Sequence, residues 1–587
     1  MMKTTRRFRT VVVGTLLTIA SACTPTEKTA GKTDRASGPG DSSFVAVSHQ
    51  IIDDLVQRKP SLATDLGIHR YDAQTEDVSA SAQQAASETL KGFRAKIAAV
   101  DTTLLSAVNR ADRTFIALAL DAAILELDVI KKWTKDPDLY SSGVTNAAYV
   151  IMKRNFAPAA DRLRSLIARE QKLPAALVEA RKNLQNPPRI YTEIALEQID
   201  GAISFFKSDV PAAFADVKDA TLLKEFKTTN DSVMAALTSY KQWMKQELLP
   251  KSNGSFAYGA ETYSRALAAN EMITVPLDQL LQIAEADRAK NEAAFVAAAR
   301  QIDSTKPVEA VLATVQRDHP VPAKLLEATQ SALDSIRQFI IDHHIITIPP
   351  SEPARTFETP PFQRSTTTAS MDTPGPFEPA KLEARYNMTL PDPRWPKAQQ
   401  DEYIMAWYYA LISNVSVHEV YPGHYTQFLY GKQFPTDARK VFGANTNVEG
   451  WAHYAEQMMI DEGFHSNDPK YRLAQLQDAL LRDVRFIVGI KMHTQNMSVD
   501  EATKLFETQG HQPRPVAVAE AKRGTSDALY GYYTMGKLMI LKLRDDYKAK
   551  VGTEYSLQKF HDEFIKLGPL HLPLIRQAML GETGQVF

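Results

Sequence analysis

The sequence predicts a mainly α-helical globular protein. Apolar residues recur at helical spacing along most of the chain, as at Ile116, Leu120, Ile124 and Leu127. One long stretch, at about 341–397, has so many prolines that long helices are excluded there. With 587 residues and a hydrophobic content of 44%, the chain can bury a large core.

Residues 1–22 have the features of a bacterial lipoprotein signal peptide. A basic start, with Lys3, Arg6, Arg7 and Arg9, precedes an apolar run that is too short to span a bilayer. The run ends in Ile-Ala-Ser-Ala before Cys23, which resembles a lipobox. Cys23 is the only cysteine, so no intrachain disulfide can form. An ordinary signal peptide with an incidental cysteine is the alternative, but a lone cysteine at the cleavage point favours lipidation.

Thr24 follows the lipidated position, where aspartate would signal retention in the inner membrane. By resemblance to the sorting rule of Gram-negative lipoproteins, we expect an outer-membrane protein that faces the periplasm. Residues 23–43 are polar and small, which predicts a flexible tether before a helical domain at 44–587. Lysines and arginines number 68 against 69 acidic residues, a balance that does not favour nucleic-acid binding.

The proline-rich stretch predicts extended loops and short strands. β-Branched residues accompany the prolines, as at 345–348 and 366–368. An interdomain linker is the alternative. Helix is expected to resume near Ala398. It begins the region 398–537, which contains the candidate functional residues.

The segment at 416–427 reads SVHEVYPGHYTQ and carries His418, Glu419 and His424. Two imidazoles and a carboxylate are the parts of a zinc hydrolase site. The common spacing is H-E-x-x-H, but here the second histidine stands at i+6, roughly 240° round an ideal helix. Pro422 and Gly423 could break the helix and bring the histidines together. The alternative is a helix end with two partly buried histidines.

A third candidate ligand follows 25 residues after His424. Glu449 opens the sequence EGWAHYAE at 449–456, which has a helical pattern. Two histidines and one glutamate leave an open position on zinc for water. In the same helix, His453 could be a further ligand or support the ligands from behind, and Glu456 could orient a ligand histidine or be exposed to solvent.

The two motifs closely resemble the family of bacterial lipoproteins catalogued as domain of unknown function 885. The resemblance covers most of the mature chain and includes 60–72, 357–364, 374–396 and 521–537. That family in turn resembles the helical gluzincin peptidases, such as thimet oligopeptidase and the carboxypeptidase Taq group. The resemblance implies a two-lobed, helical, metallopeptidase-like domain with a small β-sheet beside the active-site cleft.

The same resemblance implies roles for individual residues. His418, His424 and Glu449 would hold Zn²⁺, and Glu419 would be the general base. An edge strand would bind the substrate backbone, with 384–388 as its candidate.

The stretch at 520–537 supplies further candidates. Tyr530 and Tyr533 are three residues apart and are expected to share a helical face. Related gluzincins stabilise the oxyanion with tyrosine hydroxyls, which implies that role for Tyr533 and a substrate contact for Tyr530. Arg523 could bind a substrate carboxylate. The alternative is a packed aromatic helix with a surface arginine.

The sequence therefore predicts a membrane-tethered zinc metallopeptidase that hydrolyses short peptides. Two other functions stay open: a non-catalytic lipoprotein that binds peptides or other ligands, and another zinc-dependent amide hydrolase.

Overall fold

The computed structural model describes residues 37–351, 353–359, 364, 368–379 and 382–587. The predicted signal peptide and Cys23 lie outside these residues. The predicted tether is described only from residue 37, and its last three residues belong to the first helix, so the helical body begins at Asp41 rather than at residue 44. Among the described residues, no helix combines the length and apolar character needed to cross a membrane.

Helices dominate the described chain, as predicted. The first group is α1 (Asp41–Arg58), α2 (Pro60–Leu66), α3 (Ala80–Ala98), α4 (Ala107–Leu125), α5 (Asp138–Met152), α6 (Ala159–Glu170), α7 (Leu173–Asn183), α8 (Arg189–Ser204), α9 (Val210–Ala213) and α10 (Ala220–Trp243). The second group is α11 (Ala260–Glu271), α12 (Leu277–Ile302), α13 (Val308–Val315) and α14 (Leu325–Asp342).

A third group follows the proline-rich stretch and begins at Lys397, close to the predicted restart. It consists of α15 (Lys397–Met405), α16 (Tyr409–Glu419), α17 (His424–Gly431), α18 (Asp437–Val441), α19 (Asn445–Asp461), α20 (Pro469–Thr494), α21 (Val499–Gln509), α22 (Arg514–Ser526), α23 (Tyr532–Val551), α24 (Leu557–Lys566) and α25 (Leu572–Leu580). Short π-helical turns extend α4, α8 and α10 at Glu126–Ile130, Phe205–Asp209 and Met244–Leu248.

The proline-rich stretch contains a small mixed sheet. Its strands are β1 (Arg355–Glu358), β2 (Ala369–Asp372) and β3 (Arg385–Met388), in the order β1-β3-β2. β3 pairs parallel with β1 and antiparallel with β2. The prediction that 384–388 forms the edge strand is therefore wrong, because β3 is central and β1 and β2 are the edges of the described sheet.

Two buried apolar clusters form the larger cores. One draws on α5 to α10, from Tyr140 to Leu248. The other draws mainly on α11 to α25 and the sheet. The fold is thus mainly helical with a three-stranded sheet, in agreement with the predicted class.

Residues 372–378, here called the strap, follow β2 and are fastened to the N-terminal helices. Asp372 forms an ion pair with Arg154, which follows α5. His69, after α2, lies with its Nε2 3.0 Å from a carboxylate oxygen of Glu378. The Phe377 N–H donates to the Leu66 carbonyl with an N···O distance of 3.0 Å. The loop that carries His69 therefore packs against the strap.

Candidate metal centre

The segment with the two histidines is broken, as Pro422 and Gly423 predicted. α16 ends at Glu419 and α17 begins at His424, so His418 lies in the last turn of one helix and His424 opens the next. The Gly423 amide donates to the Val417 carbonyl at 3.1 Å, which folds the connection back on α16. The i+6 spacing is thereby converted into a spatial pair, with ring centroids 4.8 Å apart.

Gly423 is required by the closeness of this turn. A Cβ atom there would lie 1.9 Å from the His418 carbonyl oxygen and 2.4 Å from that of Val417. Those atoms are backbone, so they cannot move aside as a flexible side chain would. The indole of Trp451 donates to the Pro422 carbonyl at 2.8 Å and fixes the turn against α19.

His418, His424 and Glu449 converge, as the sequence analysis expected. The Nε2 atoms of both histidines lie 3.4 Å from Glu449 Oε2. One ligand atom from each of the three residues lies within 4.8 Å of the other two. Glu449 Oε2 is buried and makes no well-formed hydrogen bond among the described residues.

These distances fit a metal ion better than a set of hydrogen bonds. Zinc binds nitrogen and oxygen at about 2.0–2.1 Å in tetrahedral geometry, which separates neighbouring ligand atoms by about 3.3–3.4 Å. Both nitrogen–oxygen distances match that edge. Burial disfavours ionised Glu449, but His424 and His418 outweigh it and hold the pKa of this carboxyl well below its usual range. The carboxylate is thus in the form that binds a cation.

Glu456 orients His418 from behind. Its Oε1 lies 2.6 Å from His418 Nδ1, so the natural tautomer has the proton on Nδ1 and leaves Nε2 free to bind a metal. Burial lowers the pKa of His418, but Glu449 and Glu456 raise it to about 10. Metal binding would therefore have to displace a proton. This arrangement agrees with the supporting role expected for Glu456.

The same glutamate contacts three other groups. Arg482 Nη2 lies 3.1 Å from Glu456 Oε1, and Asn414 donates to Oε2 at 3.2 Å. His453 Nδ1 stands 3.4 Å from Oε2, and burial lowers the pKa of His453 to about 3. His453 is therefore neutral and lies behind the centre, outside the convergent trio.

The helices that carry the ligands are tied to one another. Gln427 of α17 donates to the side-chain oxygen of Asn447 in α19 at 2.9 Å. α19 also approaches α23 closely, because a Cβ on Gly450 would meet Gly536 Cα at 2.5 Å. This glycine contact brings Tyr533 to the centre, with its ring 6.3 Å from that of His418.

Glu419 faces the sheet. Its Oε2 accepts a hydrogen bond from the Met371 backbone N–H of β2 at 3.3 Å. This amide points away from β3, so the edge of β2 is turned towards the candidate centre. A carboxylate beside a candidate metal ligand and the outer edge of β2 thus share one side of the site.

Tyr533 and Arg523 lie together, and Tyr532, which was not among the predicted site residues, lies beside them. Arg523 donates to the hydroxyls of Tyr532 at 3.2 Å and Tyr533 at 3.4 Å, and it is paired with Asp527 at 3.0 Å. The guanidinium groups of Arg482 and Arg485 stand 5.6 and 5.0 Å from the Tyr533 ring centre. These cationic surroundings favour negative charge beside the tyrosine hydroxyl.

Tyr530 is placed differently from the expectation. It lies in the turn between α22 and α23, so it does not share a helical face with Tyr533. Its side chain is 0% exposed and packs against Gly489 and Gly524. This placement does not support the predicted substrate contact of Tyr530, because its ring is buried in the core.

Several contributing residues were not singled out from the sequence. Tyr532, Asp527 and Arg482 surround the site, and Met371 supplies the contact to Glu419. Tyr532 is adjacent to the predicted Tyr533 in the sequence, and this adjacency is the signal by which it could have been found. Arg482 and Met371 reach the site only through long-range packing, which residue spacing does not reveal.

These features define a class: a helical protein with a candidate metal centre of two histidines and one glutamate. The family described as "Bacterial protein of unknown function (DUF885)" matches residues 60–579. The chain belongs to this family, as its motifs predicted. No curated protein matches the sequence significantly.

Two solved structures are similar to nearly the whole chain. One, from Shewanella oneidensis, is described as a presumed lipoprotein of unknown function. It is 26% identical with a TM-score of 0.77, over 92% of this chain and 99% of that one. A presumed lipoprotein from Colwellia psychrerythraea is 18% identical with a TM-score of 0.78, over 92% and 98% of the two chains. The latter likeness concerns the fold alone, and the resemblance to gluzincin peptidases stays a prediction.

Proposed function

We propose that this protein is a zinc-dependent peptidase acting on short peptides. The observation that carries the proposal is the convergence of two histidine nitrogens, each at 3.4 Å, on one buried oxygen of Glu449 that has no well-formed hydrogen bond among the described residues. A trio used only for packing would be expected to satisfy that oxygen with a donor at normal distance. Glu456 adds support, because it holds His418 in the tautomer that a metal needs.

The chemistry follows from groups already in place. When bound, zinc would polarise a peptide carbonyl and acidify a water molecule. Glu419 would accept a proton from the attacking water and deliver it to the leaving amine. The Met371 N–H holds this carboxylate at the sheet edge beside His418. Tyr533, among its arginines, would donate a hydrogen bond to the developing oxyanion.

The outer edge of β2 in the described sheet would bind the substrate backbone, with a substrate group taking the place of the Glu419 contact at Met371. A peptide added to an edge strand pairs through main-chain groups and leaves its side chains to neighbouring surfaces. β2 replaces the strand predicted for this purpose, because β3 is paired on both sides. Arg523, whose side chain is 36% exposed, stays a candidate partner for a substrate carboxylate.

Replacement of the base tests the catalytic proposal. Glu419→Gln keeps an oxygen that can accept from Met371 but cannot take up a proton. We expect zinc content and circular dichroism to be unchanged, while kcat/KM on a cleaved peptide falls roughly 10²- to 10⁴-fold. Glu462→Gln, at the exposed end of α19, is the matched control and should retain full activity.

Two results would count against the proposal in different ways. Wild-type turnover by a zinc-loaded Glu419→Gln variant would remove Glu419 from the reaction. A wild-type protein that holds stoichiometric zinc but cleaves nothing in a broad peptide library would favour a ligand-binding lipoprotein.

We also propose that Cys23 carries a lipid anchor in the bacterial cell envelope, at the periplasmic face of the outer membrane. The lipobox-like sequence supports this, as does the description of the similar structure from Shewanella oneidensis as a presumed lipoprotein. Cys23→Ser should move the protein from the membrane fraction to the soluble periplasmic fraction. A wild-type protein found wholly in the soluble fraction would contradict the anchor.

A further inference from the structure

The helix that supplies Glu449 begins without a cap of its own. The residue before α19 is Ala444, whose side chain cannot accept a hydrogen bond. The first N–H groups of a helix have no partner within the helix, and leaving them unpaired in a buried place is costly. Here Asn445 and Thr446 open α19, and Thr446 is fully buried.

A distant carboxylate supplies the missing cap. Glu271, the last residue of α11, accepts from the Thr446 N–H at 2.9 Å, the Thr446 hydroxyl at 2.6 Å and the Asn445 N–H at 3.3 Å. Its side chain is 1% exposed. A negative charge is unfavourable at the end of its own helix but favourable at the start of another. The three donors of α19 therefore explain why a glutamate is buried at this position.

The capped turn is the one that leads directly to the metal centre. Glu449 lies three residues after Thr446, so a rotation or slip of this turn would move its carboxylate relative to the two histidines. Asn447, between them, donates to the carbonyls of Gly568 at 3.3 Å and Leu570 at 2.8 Å. The start of α19 is thus held on one side by the loop before α25 and on the other by α11.

We propose that Glu271 is a positioning residue of the metal centre, which sets the place of Glu449 by capping α19 from another helix. The inference rests on the proposed metal site and adds a residue that lies outside both sequence motifs. Burial raises the pKa of Glu271 to about 7, against the hydrogen bonds from Thr446 and Asn445.

Zinc affinity and a cobalt spectrum test the role of Glu271. Glu271→Gln retains one acceptor oxygen but turns an amide N–H₂ group towards an α19 donor. We expect the zinc Kd to rise about tenfold, the lower end of what a lost outer contact costs. With Co²⁺ in place of zinc, the visible absorption should shift, because the position of a ligand carboxylate has changed.

Glu170→Gln is the matched control. Glu170 is also a buried glutamate, but it accepts from Thr229 in the core built by α5 to α10. This variant should leave the zinc Kd and the Co²⁺ spectrum at wild-type values. Thr446→Val, which removes only the hydroxyl contact, should weaken zinc binding less than Glu271→Gln does.

The outcomes separate the two proposals. A wild-type protein that does not bind zinc stoichiometrically refutes the metal site, and the role of Glu271 falls with it. Zinc-binding wild type with an unaltered Kd and Co²⁺ spectrum in Glu271→Gln overturns the positioning role alone. If Glu271→Gln does not fold, Thr446→Val decides: weaker zinc binding than in Glu170→Gln supports the role, and equal binding refutes it.

Discussion

The two motif segments of the candidate centre place their side chains in opposite ways. The segment from His418 to His424 is broken between two helices, and both of its histidines reach one point. The segment from Glu449 to Glu456 is one unbroken helix, and its polar residues lie at successive depths. Glu449 faces the histidines, Glu456 lies behind His418, and His453 lies behind Glu456.

The difference shows what regular spacing can and cannot do. Along a helix, residues at i, i+4 and i+7 share a face but are displaced by about 1.5 Å per residue, so they reach different layers. Bringing two residues at i+6 to one point requires a break. The irregular segment therefore builds the candidate ligand pair, while the regular segment builds one ligand and its support. The following predictions test this division, from the largest expected effect to the smallest.

Removal of a convergent residue should abolish metal retention. We expect His424→Ala and Glu449→Ala to hold far less than one zinc per chain after dialysis. The loss should exceed the roughly 10- to 100-fold effect of an outer contact, because a direct ligand is gone. Elemental analysis of the dialysed proteins measures it. Stoichiometric zinc in His424→Ala would show that the broken segment does not supply the second ligand.

A side chain at Gly423 should damage the break itself. In Gly423→Ala, the new Cβ would meet two backbone carbonyl oxygens, so we expect a loss of about 3 kcal/mol or more in unfolding free energy. Denaturant unfolding measures this loss. Gly92→Ala is the control, because nothing lies within 4 Å of a Cβ there, and alanine in helix α3 should stabilise by up to about 1 kcal/mol. Equal stability of the two variants would contradict the need for glycine at the break.

Loss of the supporting carboxylate should weaken the centre without abolishing it. Glu456→Gln removes the negative charge that pairs with both His418 and Arg482. We therefore expect zinc affinity to fall about 10- to 100-fold. Competition with a chelating dye measures the Kd. An unchanged affinity would show that His418 needs no orienting partner.

His453 should matter least to the metal and more to acid stability. His453→Asn should bind zinc as the wild type does. Burial holds the pKa of His453 at about 3 in the folded protein, below its ordinary 6.5, so the unfolded chain binds the extra proton first. Its contribution to stability is present above pH 6.5 and is lost as the pH falls towards 3. The variant should therefore lose stability less steeply between pH 6.5 and 4 than the wild type, as unfolding at several pH values would show.

The sequence predicted what depends on local chemistry. Helical spacing indicated the fold class, and Pro422 with Gly423 predicted the break that brings the histidines together. Order in the sheet depends on long-range pairing, so the central place of β3 could not be derived from its composition. Tyr530 and Tyr533 were expected to share a helical face because they are three residues apart, whereas Asp527 to Gly531 form a turn before α23. Glu271 has no neighbouring motif, and only the packing of α11 on α19 gives it a role.

The strap connects β2 to a part of the chain that is distant in sequence. β2 lies in the middle of the chain, but Asp372 and Glu378 are anchored to Arg154 and His69 in the first 160 residues. Glu419 belongs to the C-terminal half and is coupled to that anchored strand through Met371. β2 is thus held both by the N-terminal helices and by a sheet that shares its core with the ligand helices, and the contact between Glu419 and Met371 joins it to the candidate centre.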